Sequence, residues 1–340
     1  MKKFRLGFII VSIVALMVFT ACSGGEESAS VNTSETRSVS SSDVNYPTKT
    51  INITVPYDAG SSTDIRARYL AQILGEKLGV TVTVTNLAGA AGSIGTIDYI
   101  MKNADPHEIL IAGIAAVTTA PLTNSALPYT FDDFKVIAAL DQEEQILYTC
   151  PQQSGISSFE QLIETGKTRT IKYGGGGPTA ANDIIQAAAY KQAGIQYESI
   201  VTSSTSQRIL DVLGGTVDVT CAPPSSGAEF VASGELVPIA VLSPEPYSGF
   251  EGLTVPTLNS FGYENFVFNA YNIILMNGDV DQTYVDFLTE AIHEIYETEG
   301  YQEKAEDLGM NICYDSPEQV KKNVDSTISA FSEMLQFINN

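Results

Sequence analysis

From residue 46 onward the apolar positions switch repeatedly between a period of two and one of nearly four. Residues 51–57, INITVPY, are rich in β-branched side chains and predict a strand. A small polar loop over residues 58–63 follows. Ile65, Tyr69, Ile73 and Leu78 then fall near one face of a helix that Gly79 ends. Residues 80–85 alternate as a second strand, residues 86–95 turn into another helix through Met101, and residues 108–113, EILIAG, form a buried type of strand. Strand, loop and helix in this repetition predict an α/β fold with a mainly parallel, doubly wound sheet.

A second unit of the same kind begins near Ile146. Residues 171–177, IKYGGGG, run a strand into a glycine loop, and Pro178 and Thr179 open a helix that Gly194 ends. Residues 217–221 and 236–242 are further strands, with a helix over 206–213 before the first. Residues 268–276 carry the chain back. The tail is helical, with Val285, Leu288, Ile292 and Ile295 on one face and Val320, Val324, Ile328, Phe331 and Leu335 on another. The two crossings imply a hinge between lobes, with 46–145 and 268–340 in the first and 146–267 in the second. In open α/β sheets ligands sit beyond the carboxyl ends of the strands, so two facing lobes would enclose a cleft between their loops.

The start of the chain has a different character. Lys2, Lys3 and Arg5 precede an apolar run over 6–19 that is short for a membrane span and ends in Thr20-Ala21-Cys22. This is the form of a lipoprotein signal peptide over 1–21, with Cys22 as the lipidated new N-terminus. Residues 22–45 are Ser, Gly, Thr and Glu with little apolar surface, and predict a flexible, lipid-anchored linker. The chain carries 18 Lys+Arg against 40 Asp+Glu, a formal charge of −22. Loss of Lys2, Lys3 and Arg5 leaves 15 against 40. A field of that sign repels nucleic acid. Cys150, Cys221 and Cys313 are far apart and lack metal-ligand spacing, and are expected to be buried free thiols. The only histidines, His107 and His293, have no local nucleophile beside them, so neither catalysis nor a metal or cofactor is expected.

Two loops stand out as candidate sites. Tyr57 leads into Asp58, Ala59, Gly60, Ser61, Ser62, Thr63 and Asp64, where hydroxyls and the N–H groups of the next helix offer a neutral way to bind an anion. Gly174, Gly175, Gly176 and Gly177, with Pro178, Thr179 and Ala180, are the counterpart in the second unit. They are no Walker loop, since no Lys-Ser/Thr follows in place. Ser203, Ser204 and Thr205 lead into Arg208, whose guanidinium could hold a carboxylate with two hydrogen bonds or form an ordinary ion pair. Arg66 and Arg68 read as structural, paired with Asp58, Asp64 or the tail. Gly89, Gly92 and Gly95 only partly match a dinucleotide fingerprint, and helix–sheet packing with a tight turn accounts for them.

The run YPTKTINITVPYDAGSSTD over 46–64 resembles the opening of the tripartite tricarboxylate transporter solute receptors, the TctC/Bug family. The resemblance continues through NLAGAAGSIG, DPHEILIAG, LPYTFDDFKVIAAL, IKYGGGGPT and ILDVLGGTVDV, and so spans nearly the whole body. It implies a two-lobed periplasmic-binding-protein-like fold of the Venus flytrap kind, a carboxylate ligand and membrane permease subunits as partners. Its ligand positions match Ala59, Gly60, Ser61, Ser62 and Thr63, then Ile114 and Ala115, then Gly177, Pro178, Thr179 and Ala180, then Ser203, Ser204 and Thr205. Where amino-acid-binding relatives place an aspartate after the VDVT strand, this chain has Ala222-Pro223-Pro224, which implies a ligand without an amino group. Arg208 replaces a residue that is usually small, and Ser203 a common basic one.

The expectation is therefore an extracytoplasmic lipoprotein, a monomer on the outer face of the cytoplasmic membrane. It would take a small mono- or dicarboxylate to a permease and touch the membrane through its lipid only. A ligand-sensing receptor for a sensor kinase and a secreted α/β enzyme are the alternatives.

Overall fold

The structure is a computed structural model that describes residues 45–340 apart from 178, 179, 203, 265 and 269. Cys22, the signal segment and the linker lie outside the described residues. β-Branched and small apolar residues build ten strands, β1 Ile51–Val55, β2 Val82–Asn86, β3 Glu108–Gly113, β4 Phe134–Glu143, β5 Ile146–Thr149, β6 Ile171–Gly175, β7 Tyr197–Val201, β8 Val219–Ala222, β9 Val237–Val241 and β10 Ala270–Asn277. They form two five-stranded sheets, ordered β2-β1-β3-β10-β4 and β7-β6-β8-β5-β9. β1 pairs in parallel with β2 and β3, and β6 with β7 and β8. β10 runs antiparallel to β3 and β4, as β5 does to β8 and β9. The two sheets thus share one topology. In each, the reversed strand is the one that arrives from the other sheet, which makes the molecule a two-lobed α/β protein with mainly parallel sheets.

The first helix, Ser62–Leu78, buries a different face from the one its large apolar residues predict. Ala67, Leu70, Ala71 and Leu74 are buried together with Asp64 and Arg66, while Ile65 is exposed. Arg66 donates to Asp141 Oδ2 at 2.8 Å, to Glu143 Oε1 at 2.7 Å and to the Gly309 carbonyl at 3.1 Å. The face that carries these polar residues is turned inward because their charges are neutralised there.

Leu70, Leu74, Leu288 and Ile292 pack with Ile51 and Ile53 on one side of the first sheet. On the other side a single core runs through both lobes, from Tyr99 and Leu110 to Ile171 and Tyr190. The C-terminal helix, Pro317–Asn339, contributes Val320, Val324, Phe331 and Met334 to it, packing on β4 and on the helix Ala181–Gln192. Lys191 Nζ donates to the Ile338 carbonyl at 3.0 Å. Cys150, Cys221 and Cys313 are free and buried, as their apolar settings predict.

His107 has a structural task. Its Nε2 accepts from the Thr48 N–H at 3.1 Å, so Nδ1 carries the proton and donates to Asp105 Oδ1 at 3.0 Å. Lys49 Nζ donates to Asp105 Oδ2 at 2.6 Å, and the Tyr46 hydroxyl to the Pro106 carbonyl, also at 2.6 Å. Burial alone would raise the Asp105 carboxyl, but the bonds from Lys49 and His107 outweigh it and bring it down to about 2. A carboxyl held below its unfolded value of 3.8 stabilises above that value and ceases to do so as pH falls toward 2. The denaturation midpoint of the protein is therefore expected to exceed that of Asp105→Asn at pH 6, with the gap closing by pH 2. An equal gap at both pH values would show that this carboxylate is not what holds residues 46–49 in place.

Candidate functional site

The segments that follow β2, β3, β6 and β7 line one cavity, and the loop after β1 packs beside the first two. β1 gives way to Tyr57, whose hydroxyl accepts the Gly113 N–H at 3.1 Å. Burial pushes that hydroxyl up to about 12, against the pull of the Gly113 bond. A side chain at Gly113 would meet this oxygen at 2.9 Å, and one at Gly92 the Tyr57 ring at 3.1 Å, so both glycines make room for the tyrosine. Beyond Tyr57, Gly60 at φ +83° donates its N–H to Asp64 Oδ2 at 2.8 Å. Ser61 caps the helix by accepting the Asp64 N–H at 3.3 Å, and the Thr63 hydroxyl donates to Asn272 Oδ1 at 2.9 Å. Asp64 in turn receives Arg68 Nε at 3.0 Å and Asn86 Nδ2 at 2.8 Å. Burial would raise the Asp64 carboxyl, but Arg68, Gly60 and Asn86 together hold it below its usual range. The loop is thereby locked. Among its remaining donors are the N–H groups of Ser62 and Thr63, which have no acceptor inside the helix. Ala59 and Gly60 are exposed.

The β2 turn is the most strained backbone of the described residues. Gly89, Ala90, Ala91 and Gly92 all have positive φ, at 134°, 47°, 53° and 97°. For alanine this region costs about 1–2 kcal/mol per residue, a strain of the sort that concentrates at functional sites.

The second lobe repeats the device of the first. Asp183, in the first turn of the helix Ala181–Gln192, reaches back to accept the Gly176 N–H at 2.6 Å, as Asp64 does for Gly60. It also accepts the Ser199 hydroxyl at 2.7 Å. Burial raises the Asp183 carboxyl, opposed by Ser199, the Gly176 and Gly177 N–H groups and Arg208. Ser204 caps the helix Thr205–Leu213 by accepting the Gln207 N–H, and Thr205 Oγ1 accepts Arg208 Nη2 at 2.9 Å. Arg66, Arg68 and Arg169 each pair with carboxylates, whereas Arg208 makes no ion pair among the described residues. Burial draws the Arg208 guanidinium down, while Cys221 and Asp183 oppose this.

Between these loops lies a cavity of about 620 Å³, within the size range of small-molecule sites. Ala90, Ala91, Ser93, Ala115 and Thr119 line it from the first lobe, and Gly176, Ala180, Asn182 and Arg208 from the second. Gln145, Phe268 and Ala270, at the two chain crossings, complete it. In a chain with 40 acidic residues, the described residues of this lining include no carboxylate and one cation, Arg208. A second cavity, of about 610 Å³ near the β4 end, has the opposite sign, lined by Glu143, Glu144 and Glu306 with no Lys or Arg.

Of the residues the sequence singles out, Ala115, Gly176, Ala180 and Arg208 line the first cavity. Ile114 is 2% exposed and belongs to the core. Tyr57, Gly60, Ser61, Thr63, Ser204 and Thr205 are outside the lining, with Tyr57 bonded to Gly113, Thr63 to Asn272, and Gly60, Ser61, Ser204 and Thr205 engaged in capping contacts near their own helix starts. Ala59, Ser62 and Gly177 are not in the lining, and Pro178, Thr179 and Ser203 lie outside the described residues. Sequence reasoning missed Ala90, Ala91, Ser93, Thr119, Gln145 and Asn182. The compact Gly-Ala-Ala-Gly turn was the available signal for the first three. No cluster of three His, Cys, Asp or Glu fit to hold a metal stands among the described residues.

The fold is shared with known proteins. BugT of Bordetella pertussis is 25% identical over 295 residues, covering 86% of this chain and 90% of BugT. A TctC solute-binding protein from Polaromonas has the same fold, with a TM-score of 0.73 at 22% identity over 86% of this chain and 99% of that one. R. palustris Rpa4515, solved with adipate, gives 0.73 at 18% identity over 87% and 99%. The pattern of the tripartite tricarboxylate transporter family receptor matches residues 66–339. The chain therefore belongs to the tripartite tricarboxylate transporter receptor family, TctC.

Proposed function

We propose that this protein is a lipid-anchored extracytoplasmic receptor that closes its lobes on a small organic carboxylate without an amino group and delivers it to a tripartite tricarboxylate transporter permease. Residues 1–21 would be removed, Cys22 would carry the lipid and residues 22–45 would tether the two lobes, 46–145 with 268–340 and 146–267. The observation that carries the reading is the charge of the cavity, which lacks any carboxylate and has one arginine in a strongly acidic chain. Such a wall favours an anion and offers nothing to an ammonium group, which would be costly to bury unpaired. After β8 the chain has Pro223 and Pro224 and so no side-chain carboxylate for one. The adipate held by Rpa4515 on the same fold supports a carboxylate ligand. On this reading Ser93 and Thr119 face the ligand from the first lobe, and the glycine loop with Arg208 forms the second-lobe grip.

A calorimetric and thermal-shift screen of organic acids and amino acids tests this. A ligand at about 100 times its Kd stabilises by about 2.7 kcal/mol, which moves the melting temperature by several degrees. At least one short carboxylate is expected to do so, and amino acids of equal length are not. Equal shifts from the amino acids, or none from any carboxylate, would refute the proposal.

A further inference from the structure

The two locking aspartates stand in different electrostatic settings. Asp64 has Arg68 at 3.0 Å, whereas Asp183, 2% exposed, makes no ion pair among the described residues. Of the groups that face Asp183, Tyr173 on β6 and Cys221 on β8 are kept neutral by burial, which pushes the Cys221 thiol up to about 12. Ser199 on β7 is an uncharged donor, and Arg208 on the helix Thr205–Leu213 is the cation that acts on it. Arg208 lines the cavity, as does Gly176, whose N–H Asp183 accepts. A buried carboxylate thus lies directly behind the wall against which an anion would rest. That anion would repel it and draw on the same guanidinium. Burial already holds the Asp183 carboxyl above its usual range.

The carboxylate has a place for a proton. Gly176 bonds to Oδ2 and the Ser199 hydroxyl to Oδ1. A proton on Oδ1 would reverse the second bond, with Ser199 Oγ now accepting, and leave the Gly176 lock intact.

We infer that Asp183 takes up a proton when a carboxylate occupies the cavity, so that the receptor captures its anion and a proton together. This rests on the proposed carboxylate function. The proton comes from solvent and forms one O–H bond on Asp183, while Asp64, paired with Arg68, stays charged. Because the bound anion tightens the hold of Asp183 on its proton, affinity rises as pH falls, by at most about tenfold per pH unit.

The test is calorimetry on the purified full chain in two buffers of different ionisation enthalpy, which counts protons exchanged. The probe is whichever of acetate, succinate, glutarate and adipate binds most tightly at pH 7.5. At pH 5.5, after allowance for the acid's own titration, the unaltered protein should take up about 0.3–1 proton per ligand. Its affinity there should exceed that at pH 7.5 by about three- to thirtyfold. Asp183→Asn keeps an oxygen for the Gly176 N–H but no charge. It should take up no proton and, at pH 7.5, bind at least as tightly as the unaltered protein, whereas loss of a merely structural aspartate would weaken binding. A smaller uptake by the unaltered protein, an uptake that survives the substitution, or weaker binding by the variant would overturn the coupling and leave a carboxylate receptor intact. Failure of every acid to bind would overturn both.

Discussion

Replacing Arg66 by methionine is expected to destabilise the protein by about 3–5 kcal/mol, the cost of stranding a buried charge. Arg66 is 5% exposed and Asp141 fully buried. Burial pushes the Asp141 carboxyl up, while Arg66 and Asn272 pull against it. With Arg66 gone, Asn272 Nδ2 at 2.7 Å would be its remaining recorded partner. Glu143 and the Gly309 carbonyl would lose their donor too. Because the folded carboxyl would then lie further above its unfolded value, the folded state would bind a proton more tightly than the unfolded chain. Part of the lost stability should return as pH falls from 7 toward 5. Urea unfolding of Arg66→Met, and of Arg66→Met with Asp141→Asn, measures this. The double variant should recover more than half of the loss. A single-variant loss below about 1 kcal/mol, as for a solvated surface pair, would contradict it.

Gly95→Ala should damage both the fold and the site. The added carbon would lie 2.5 Å from the Leu87 carbonyl oxygen and 2.8 Å from Pro56 Cα. Both are backbone atoms of the strand ends on which the helix Ser93–Ile100 rests, so no rotamer change can relieve the contact. The helix must back away, taking Ser93, Ile94 and Ile97 with it out of the cavity lining. Overpacking of this kind costs about 1–3 kcal/mol, and the displaced wall should weaken carboxylate binding about tenfold or more. Denaturation and calorimetry on one preparation read both effects. Binding at unaltered strength would show that this helix does not shape the site. By contrast, Gly234→Ala, where nothing lies within 4 Å, has only the strain of its positive φ to bear.

The two-lobed plan was legible because each β–loop–α unit announces itself by a change of period. β7 was not recognised. Its Glu198 and Ser199 interrupt the apolar run, and its half-exposed pattern is that of an edge strand. The inward face of the first helix was misread for a related reason. Its buried side includes Arg66 and Asp64, and only partners distant in sequence, Asp141 among them, make that side fit to bury. The two glycine loops stood out in the sequence, but the locking roles of Asp64 and Asp183 did not. Nor could composition reveal that Ala90 and Ala91 adopt left-handed angles, since alanine is the residue least suggestive of such strain. Asn182 stayed hidden because a lone asparagine in a helix's first turn has many ordinary uses. Only its place in the cavity lining sets it apart.

The last helix of the chain belongs to neither half alone. Phe331 stacks edge-on against Phe268 at 5.4 Å, while Lys191, from the opposite half, lies over the Phe337 ring. Pulling the halves straight apart would strip apolar surface from this spine, at about 25 cal/mol per Å². Rolling around it exposes far less. If the lobes close on a ligand as proposed, they would tilt their rims about this dorsal axle instead of spreading them.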